Sequence, residues 1–314
     1  MLKKIKDCLP MEEVELVLRL SDIQIKKTTS DADYASLIAF DGERKMEAKI
    51  WKFTDELRAK LESGEVYLVN GRMKEYQGKL QINITNLRKI TPVDNVDLSE
   101  FYEKAKLTND DLAKLINDYY VKIDNPILKD TVKTVLRRHY NEFFEYPAAV
   151  TMHHNYYYGL AYHTYSMLKL SDNYLSLYQF VNKSLVYAGI ILHDIGKVME
   201  LSGPKGTEYT KAGRLIGHIA LGANEIYAIS KELGYANSEE ILNLIHIILS
   251  HHGELEYGSP KVPMTPEAEL VHLLDYSDSR MASLDAEINK TEKGEFTGQI
   301  AAFDKKSFYV PDLN

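Results

Sequence analysis

The sequence predicts a multidomain chain of two classes: an all-β barrel first, then an all-α helical bundle. Two observations carry this. From Val14 to Ile90, apolar residues alternate in short runs separated by turn pairs, the period of half-buried strands. From about residue 110 to about residue 290, apolar residues instead recur at helical spacing. A third observation concerns chemistry. His163, the pair His193-Asp194, His218, the pair His251-His252 and Asp275 fall in one order within the helical part.

The first strand is VELVLRLSDIQIKKT (14–28), a long alternating run, and YASLIAFD (34–41) is the second, closed by the turn pair Asp41-Gly42. KMEAKIW (45–51) is the third. EVYLVNGRMKEY (65–76) and KLQINITNLRKI (79–90) form a late pair around Gln77-Gly78. Between strands three and four, FTDELRAKLESG (53–64) reads as a helix stopped by Gly64. Five strands with a helix between the third and fourth is the order of an OB-fold barrel. Residues 1–92 are therefore expected to form that barrel and the polar stretch 93–110 a linker, leaving 111–314 for the helical domain and a C-terminal extension. Helices are expected over 110–123, 130–146, 163–180, 183–201, 217–234, 239–253 and 267–289, with the mixed tail from Gly294 packing back on the body.

Composition narrows the function classes. Hydrophobic residues make up 45% and charged residues 27% of 314 positions, enough for a real core. No apolar run reaches the ~20 residues of a membrane span. The opening MLKKIKDCLPMEEVE lacks the apolar segment of a secretory signal. Cys8 is the only cysteine, which excludes a disulfide framework and a thiolate metal cage. A cytoplasmic location without membrane contact is the expectation. The net charge is −8, with a balance of +2 in residues 1–92 and −10 in the rest. A polyanionic substrate would then be gripped locally, and bound cations would offset part of the deficit.

An imidazole and a carboxylate adjacent in sequence can hold one ion together, and the carboxylate can bridge to a second. His193 and Asp194 sit in the apolar run KSLVYAGIILHDIGKVMEL, where an unpartnered polar pair would be expensive. Lys197 follows Asp194 by three residues, on the same helix face, placed to hold a phosphate oxygen. For an isolated H-D-x-x-K, a plain His-Asp hydrogen bond with a surface lysine is the better reading; the companion histidines reverse that preference. Adjacent helical residues diverge by ~100°, so His251 is expected as the ligand and His252 as a supporting or substrate-contacting residue. Asp275, among leucines, again wants a cation, and Asp278 one turn on reads as a solvated or supporting acid. His246 and His272 read as core or interface histidines, and His139 as a surface residue. His153-His154 is balanced between a substrate-facing and a structural role, with His154 taken as a candidate substrate contact.

In KMEAKIWKF the alternation turns Met46, Ala48 and Ile50 inward, with Lys49 and Trp51 outward. An exposed ring beside an amine suits single-stranded nucleic acid, where bases stack and phosphates meet the charge. Packing of Trp51, the only tryptophan, against other protein is nearly as good a reading. Tyr76 is a further candidate contact, with Arg72, Lys74, Lys79 and Gln81 individually weaker ones.

These residues resemble the HD-domain superfamily of metal-dependent phosphohydrolases over 163–275. With the barrel, the chain resembles the YhaM family of 3′→5′ exoribonucleases, most tellingly in GLAYHTYSML, YAGIILHDIGKVMELSGP, LIGHI and ILSHHGELEYGSPKVPMTPEAELVH. The resemblance implies manganese-supported trimming of single-stranded RNA 3′ ends, with some action on single-stranded DNA. It implies metal ligands at His163, His193, Asp194, His218, His251 and Asp275. The run Tyr276-Ser277-Asp278-Ser279-Arg280 departs from the Asn-Leu-Asp-Ala-Lys type of its relatives, while the metal position Asp275 is kept.

The expected mechanism places Asp194 between two divalent ions ~3.5–4 Å apart. His163, His193 and Asp275 complete one site; His218 and His251 complete the other. Mn²⁺ is the ion expected, with Fe²⁺ and Mg²⁺ compatible. Asp194 and Lys197 are the catalytic residues, and Lys49, Trp51, Tyr76, His154, Arg214 and His252 the substrate contacts. Two readings of other classes stand beside this one: an HD-type nucleotidase or cyclic-dinucleotide phosphodiesterase, and a mainly nonenzymatic single-strand DNA-binding protein. A di-iron oxygenase is a distant fourth. A homo-oligomer is compatible with all of them.

Overall fold

The computed structural model describes residues 3–76, 78–96, 98–102, 105, 107–149, 157–204 and 207–313. It forms two compact units, Met1–Glu103 and Lys104–Asn314.

The first unit contains β1 (Glu13–Lys27), β2 (Asp33–Phe40), β3 (Lys45–Ile50), α1 (Asp55–Lys60), β4 (Val66–Tyr76) and β5 (Lys79–Lys89). The strands close in the order β1-β2-β3-β5-β4, with β4 returning to β1. All pairs are antiparallel except β3 with β5, where Ala48 lies opposite Ile82 and Lys49 opposite Asn83. The expected alternation is the observed one: Leu16, Leu18 and Leu20 point inward from β1, and Met46, Ala48 and Ile50 from β3. Gly71 sits at the register shift between β4 and β5, where a Cβ would lie 2.6 Å from the Asn83 carbonyl oxygen. The helix expected over 53–64 is shorter, capped by Thr54 and ended at Leu61. The Glu62 amide donates to Tyr67 Oη at 2.7 Å, and Tyr67 Oη donates to Lys60 O at 3.0 Å, tying the end of α1 to the barrel. The stretch expected as linker is partly folded: Phe101 and Tyr102 are buried, and Tyr102 Oη donates to Gly64 O.

The second unit contains α2 (Asn109–Tyr120), α3 (Pro126–Arg138), α4 (Tyr140–Glu145), α5 (Gly159–Leu177), α6 (Lys183–Leu192), α7 (Lys197–Glu200), α8 (Lys211–Ile216), α9 (His218–Glu232), α10 (Glu239–Ser250) and α11 (Pro266–Ile288). Side-chain caps at Thr108, Asn125, Asn182, Ser238 and Thr265 start α2, α3, α6, α10 and α11, each stabilising its helix by roughly 1 kcal/mol. From Ser184 to Leu192, α6 is buried on every side, and it packs against α2, α3, α5, α10 and α11. It is the axis of the bundle, which is why its sequence is apolar all round. The helices expected over 130–146 and 183–201 are each broken, at His139 and after Leu192. The second break places the site. The tail folds back as expected, with Arg280 of α11 lying 4.1 Å from the Phe303 ring centroid. Among the described residues, no helix is long and apolar enough to cross a membrane.

Candidate metal centre

The apolar run 183–201 leaves α-helical geometry after Leu192, and His193-Asp194-Ile195-Gly196 forms a tight turn into α7. Its bonds run from Ile195 N to Leu192 O and from Lys197 N to Asp194 O. His193 and Asp194 therefore lie at the end of the bundle's central helix and not within it. Gly196 leaves room beside the turn. A Cβ there would lie 1.9 Å from the His218 carbonyl oxygen, so the glycine lets the first turn of α9 approach. Gly253 plays a similar part after α10: its φ is +81°, and a Cβ would overlap the His272 ring.

The structure brings His163 (α5), His193, Asp194, His218 (α9), His251 and Asp275 (α11) together. Two groups could each hold a metal ion: His163, His193 and Asp275, and His218, His251 and His252. Asp194 stands between them. Its Oδ2 is 3.2 Å from His193 Nε2 and 4.0 Å from His163 Nε2. Its Oδ1 is 3.5 Å from His218 Nε2 and 3.6 Å from His251 Nε2. Asp275 Oδ1 is 3.1 Å from His163 Nε2, and the two Nε2 atoms of His163 and His193 are 3.2 Å apart.

The imidazoles share one orientation. His193 Nδ1 donates to Ile190 O at 2.8 Å, His251 Nδ1 to Ile248 O at 2.7 Å and His252 Nδ1 to Tyr257 O at 2.9 Å. His163 Nδ1 donates to Asp278 Oδ2 at 2.6 Å, and His218 Nδ1 to Glu200 at 3.1 Å. A carbonyl oxygen can only accept, so these bonds leave Nε2 carrying the lone pair in the neutral rings. Among the described residues, Asp194 Oδ1, His218 Nε2 and His251 Nε2 are buried without a hydrogen-bond partner. Three buried acceptors facing one another are costly unless a cation sits among them. The donor set fits divalent ions of the imidazole-carboxylate kind.

Burial opposes ionisation of Asp194, but Lys197 and His193 outweigh it and hold the carboxyl well below its usual range. Burial likewise opposes the charge on Lys197, and Asp194, 2.7 Å away, outweighs it and raises the amine. Burial would push His163 down, yet its bonds to Asp275 and Asp278 raise it to about 10. Burial pushes His251 down to about 4.

The expectation that His251 and His252 diverge too far to share an ion rested on helical spacing. The two rings lie 4.4 Å apart between centroids, and His252 could join His218 and His251 around one ion. Lys197 pairs with Asp194 as the shared face implied. Arg214 is exposed on α8, and His153 and His154 lie outside the described residues. His139, expected at the surface, is mostly buried against Glu225 at 2.9 Å. His246 is half-buried and accepts from Met264 N, and His272 Nδ1 donates to His251 O. Asp278 is buried and supports His163; its three-residue spacing from Asp275 signals a common face. Glu200 carried no sequence signal.

On the barrel, Lys49, Trp51 and Tyr76 do come together. Lys49 Nζ lies 5.3 Å from the Trp51 ring centroid and 5.4 Å from that of Tyr76. Trp51 is 45% exposed, stacks on Tyr34 at 4.8 Å and donates from Nε1 to Asn83 Oδ1 at 3.1 Å. Tyr34 and Asn83 escaped sequence reasoning because they come from other strands. Gln81 is buried, which does not match the open contact the sequence suggested, whereas Arg72 is exposed, its Nε donating to Met11 O.

Comparison with known proteins bears on both units. Residues 160–280 match the family described as HD domain, and residues 17–90 the family described as OB-fold nucleic acid binding domain. The chain is an OB-fold barrel followed by a helical HD domain. The barrel is also similar to the second OB-fold domain of replication protein A from Methanococcus maripaludis, solved by solution NMR. Identity is 17% over 29% of this chain and 95% of that one, with a TM-score of 0.24. An HD domain, the unit of metal-dependent phosphohydrolases, joined to a nucleic acid binding domain fits a nucleic-acid hydrolase and is consistent with a YhaM-like architecture.

Proposed function

We propose that this protein is a divalent-metal-dependent 3′→5′ exoribonuclease that trims single-stranded RNA, accepts single-stranded DNA as a lesser substrate, and releases nucleoside 5′-monophosphates. The observation that carries the hydrolytic part is the single buried carboxylate of Asp194, with one oxygen toward His193 and the other toward His218 and His251. The polarity and the preference for RNA rest on the resemblance to the YhaM family.

His163, His193 and Asp275 would hold one ion, and His218, His251 and His252 the other, with Asp194 bridging. When bound, a pair of divalent ions acidifies a water and stabilises charge gathering on phosphate oxygens; Mn²⁺ suits these ligands. The residues of the chain do the rest. The Nδ1 bonds keep every ligand imidazole aimed inward, so the site needs little reorganisation. Lys197, buried and charged beside Asp194, supplies a positive partner for a phosphate oxygen. Arg214 offers a second, exposed cation at the start of the His218 segment. On the barrel, the exposed ring of Trp51, braced by Tyr34 and Asn83 and flanked by Lys49 and Tyr76, offers a base-stacking surface with an amine for phosphate.

The test is incubation of 5′-labelled, 3′-hydroxyl single-stranded RNA with the full chain, with and without Mn²⁺. The label should shorten stepwise only with the metal, and a fully paired 3′ end should resist. Immediate release of the label as a mononucleotide would overturn the polarity. Hydrolysis of nucleotides or cyclic dinucleotides uncompeted by single-stranded RNA would replace the substrate class.

A further inference from the structure

Among the described residues, five imidazoles surround Asp194, and three of them donate Nδ1–H to carbonyl oxygens. His163 and His218 donate instead to carboxylates. These two belong to different groups, His163 with His193 and Asp275, His218 with His251 and His252. We infer that Asp278 and Glu200 are positioning residues, one for each ion, that set the affinities of the two ions independently. The inference rests on the two-ion reading of the site given above.

Both carboxylates are built in. Asp278 is 7% exposed on α11; one oxygen accepts from His163 Nδ1 and the other from Ser166 Oγ. Glu200 is 8% exposed at the end of α7; it accepts from His218 Nδ1 at 3.1 Å and from the His218 backbone N–H at 3.0 Å. Gly213 adjoins it so closely that a Cβ would lie 2.3 Å from the Glu200 carbonyl oxygen, so α8 pins the residue. Neither carboxylate belongs to the two ligand groups. A carboxylate on Nδ1–H fixes the ring's tautomer and makes its Nε2 a stronger donor to a cation than a carbonyl partner does. Each ion would therefore have one strengthened ligand, and the strengthening groups lie on separate helices.

The amide variants test this, because Asp278→Asn and Glu200→Gln keep an acceptor and the packing while removing the charge. Mn²⁺ alone is titrated into the metal-free full chain by calorimetry and by electron paramagnetic resonance. Each variant should weaken one of two Mn²⁺ sites by ~10–100-fold and leave the other unchanged. The spectrum should pass from that of a coupled ion pair to that of a single ion at intermediate loading. His163→Ala and His218→Ala backgrounds assign the sites: Asp278→Asn should add nothing where His163 is gone, and Glu200→Gln nothing where His218 is gone. A merely structural role would instead lower the melting temperature and weaken both sites together. That result, or unchanged Mn²⁺ binding in both amide variants, overturns the inference. Fewer than two Mn²⁺ ions on the unaltered chain overturns the two-ion reading with it. Two bound ions without RNA hydrolysis overturns only the proposed activity.

Discussion

Gly196→Ala isolates one steric requirement of the site. The backbone there has φ −62° and ψ −19°, ordinary for any residue, so the only liability of alanine is its Cβ. That atom would lie 1.9 Å from the His218 carbonyl oxygen, 2.7 Å from its carbon and 2.8 Å from Gly222 N. Real Cβ contacts stop near 3.0 Å, so the first turn of α9 must retreat by about 1 Å. The obstacle is helix backbone, not the free end of a side chain, and it cannot swing away. Such overpacking costs ~1–3 kcal/mol. The opposing gain from replacing glycine by alanine is at most ~1 kcal/mol in a helix interior and smaller at this turn. A net loss of ~1–2 kcal/mol lowers the melting temperature by roughly 2–8 °C in a unit of this size. The larger effect falls on the site, since His218 travels with its own carbonyl. Metal ligands tolerate deviations of about 0.2 Å, so Mn²⁺ at the His218 group should bind at least ~10-fold more weakly. Binding at the His163 group should be spared. Thermal unfolding and Mn²⁺ calorimetry on the purified variant read both. A Gly196→Ala protein that melts and binds two Mn²⁺ ions like the parent would refute the close approach of α9 to the turn.

Asp194→Ala should abolish RNA hydrolysis at saturating Mn²⁺ while circular dichroism reports an intact helical fold; near-normal turnover would end the bridging role. Trp51→Ala should weaken single-stranded RNA binding by ~1–3 kcal/mol, about 5–150-fold, in an anisotropy titration with labelled RNA. Binding should weaken with salt along a shallow slope, because residues 1–92 carry only +2. His163 and His251 should also differ in their response to pH. His163, raised to about 10 by Asp275 and Asp278 against burial, holds a proton at neutral pH that the ion must displace. His251, lowered to about 4 by burial, holds none. Mn²⁺ affinity at the His163 group should rise about tenfold per pH unit between 6 and 9; calorimetry in buffers of different ionisation heat counts the released proton.

Much of this was legible in the sequence because period reports burial directly. The alternation in KMEAKIW placed Met46, Ala48 and Ile50 inside and Lys49 and Trp51 outside, as observed. The order of the histidines identified which side chains would meet, since each is a polar residue beside a long apolar run. What the sequence concealed was where helices stop. Nothing in GIILHDIGKVMEL marks Leu192 as an end. The close approach of α9 to the turn there depends on Gly196, and α9 is distant in sequence. Partners such as Glu200, Tyr34 and Asn83 were invisible for a related reason: each is an ordinary polar residue until another element arrives beside it.

The stops themselves serve the chemistry. His193 and His251 occupy the C-terminal caps of α6 and α10, and each returns its Nδ1–H to a carbonyl three residues back. Those carbonyls belong to the last turn, where a helix has no amides left to offer them. One bond therefore caps the helix and fixes the imidazole tautomer. It also settles the direction of the helix. The negative ends of two helices, among them the central one of the bundle, face the space between Asp194 and the Nε2 atoms, where a cation is favoured. The opposite terminus is used with the opposite sign: the N-terminus of α9 presents the His218 N–H to Glu200, a carboxylate. Had α6 run on through Glu200, its terminal carbonyls would sit a turn and more away from the site. His193 would then lose the acceptor that orients it, and Asp194 would project from the side of a helix without this field. Ending the helix at His193-Asp194 would supply a bound cation with dipole, tautomer and, on the two-ion reading, a bridging carboxylate from one short turn.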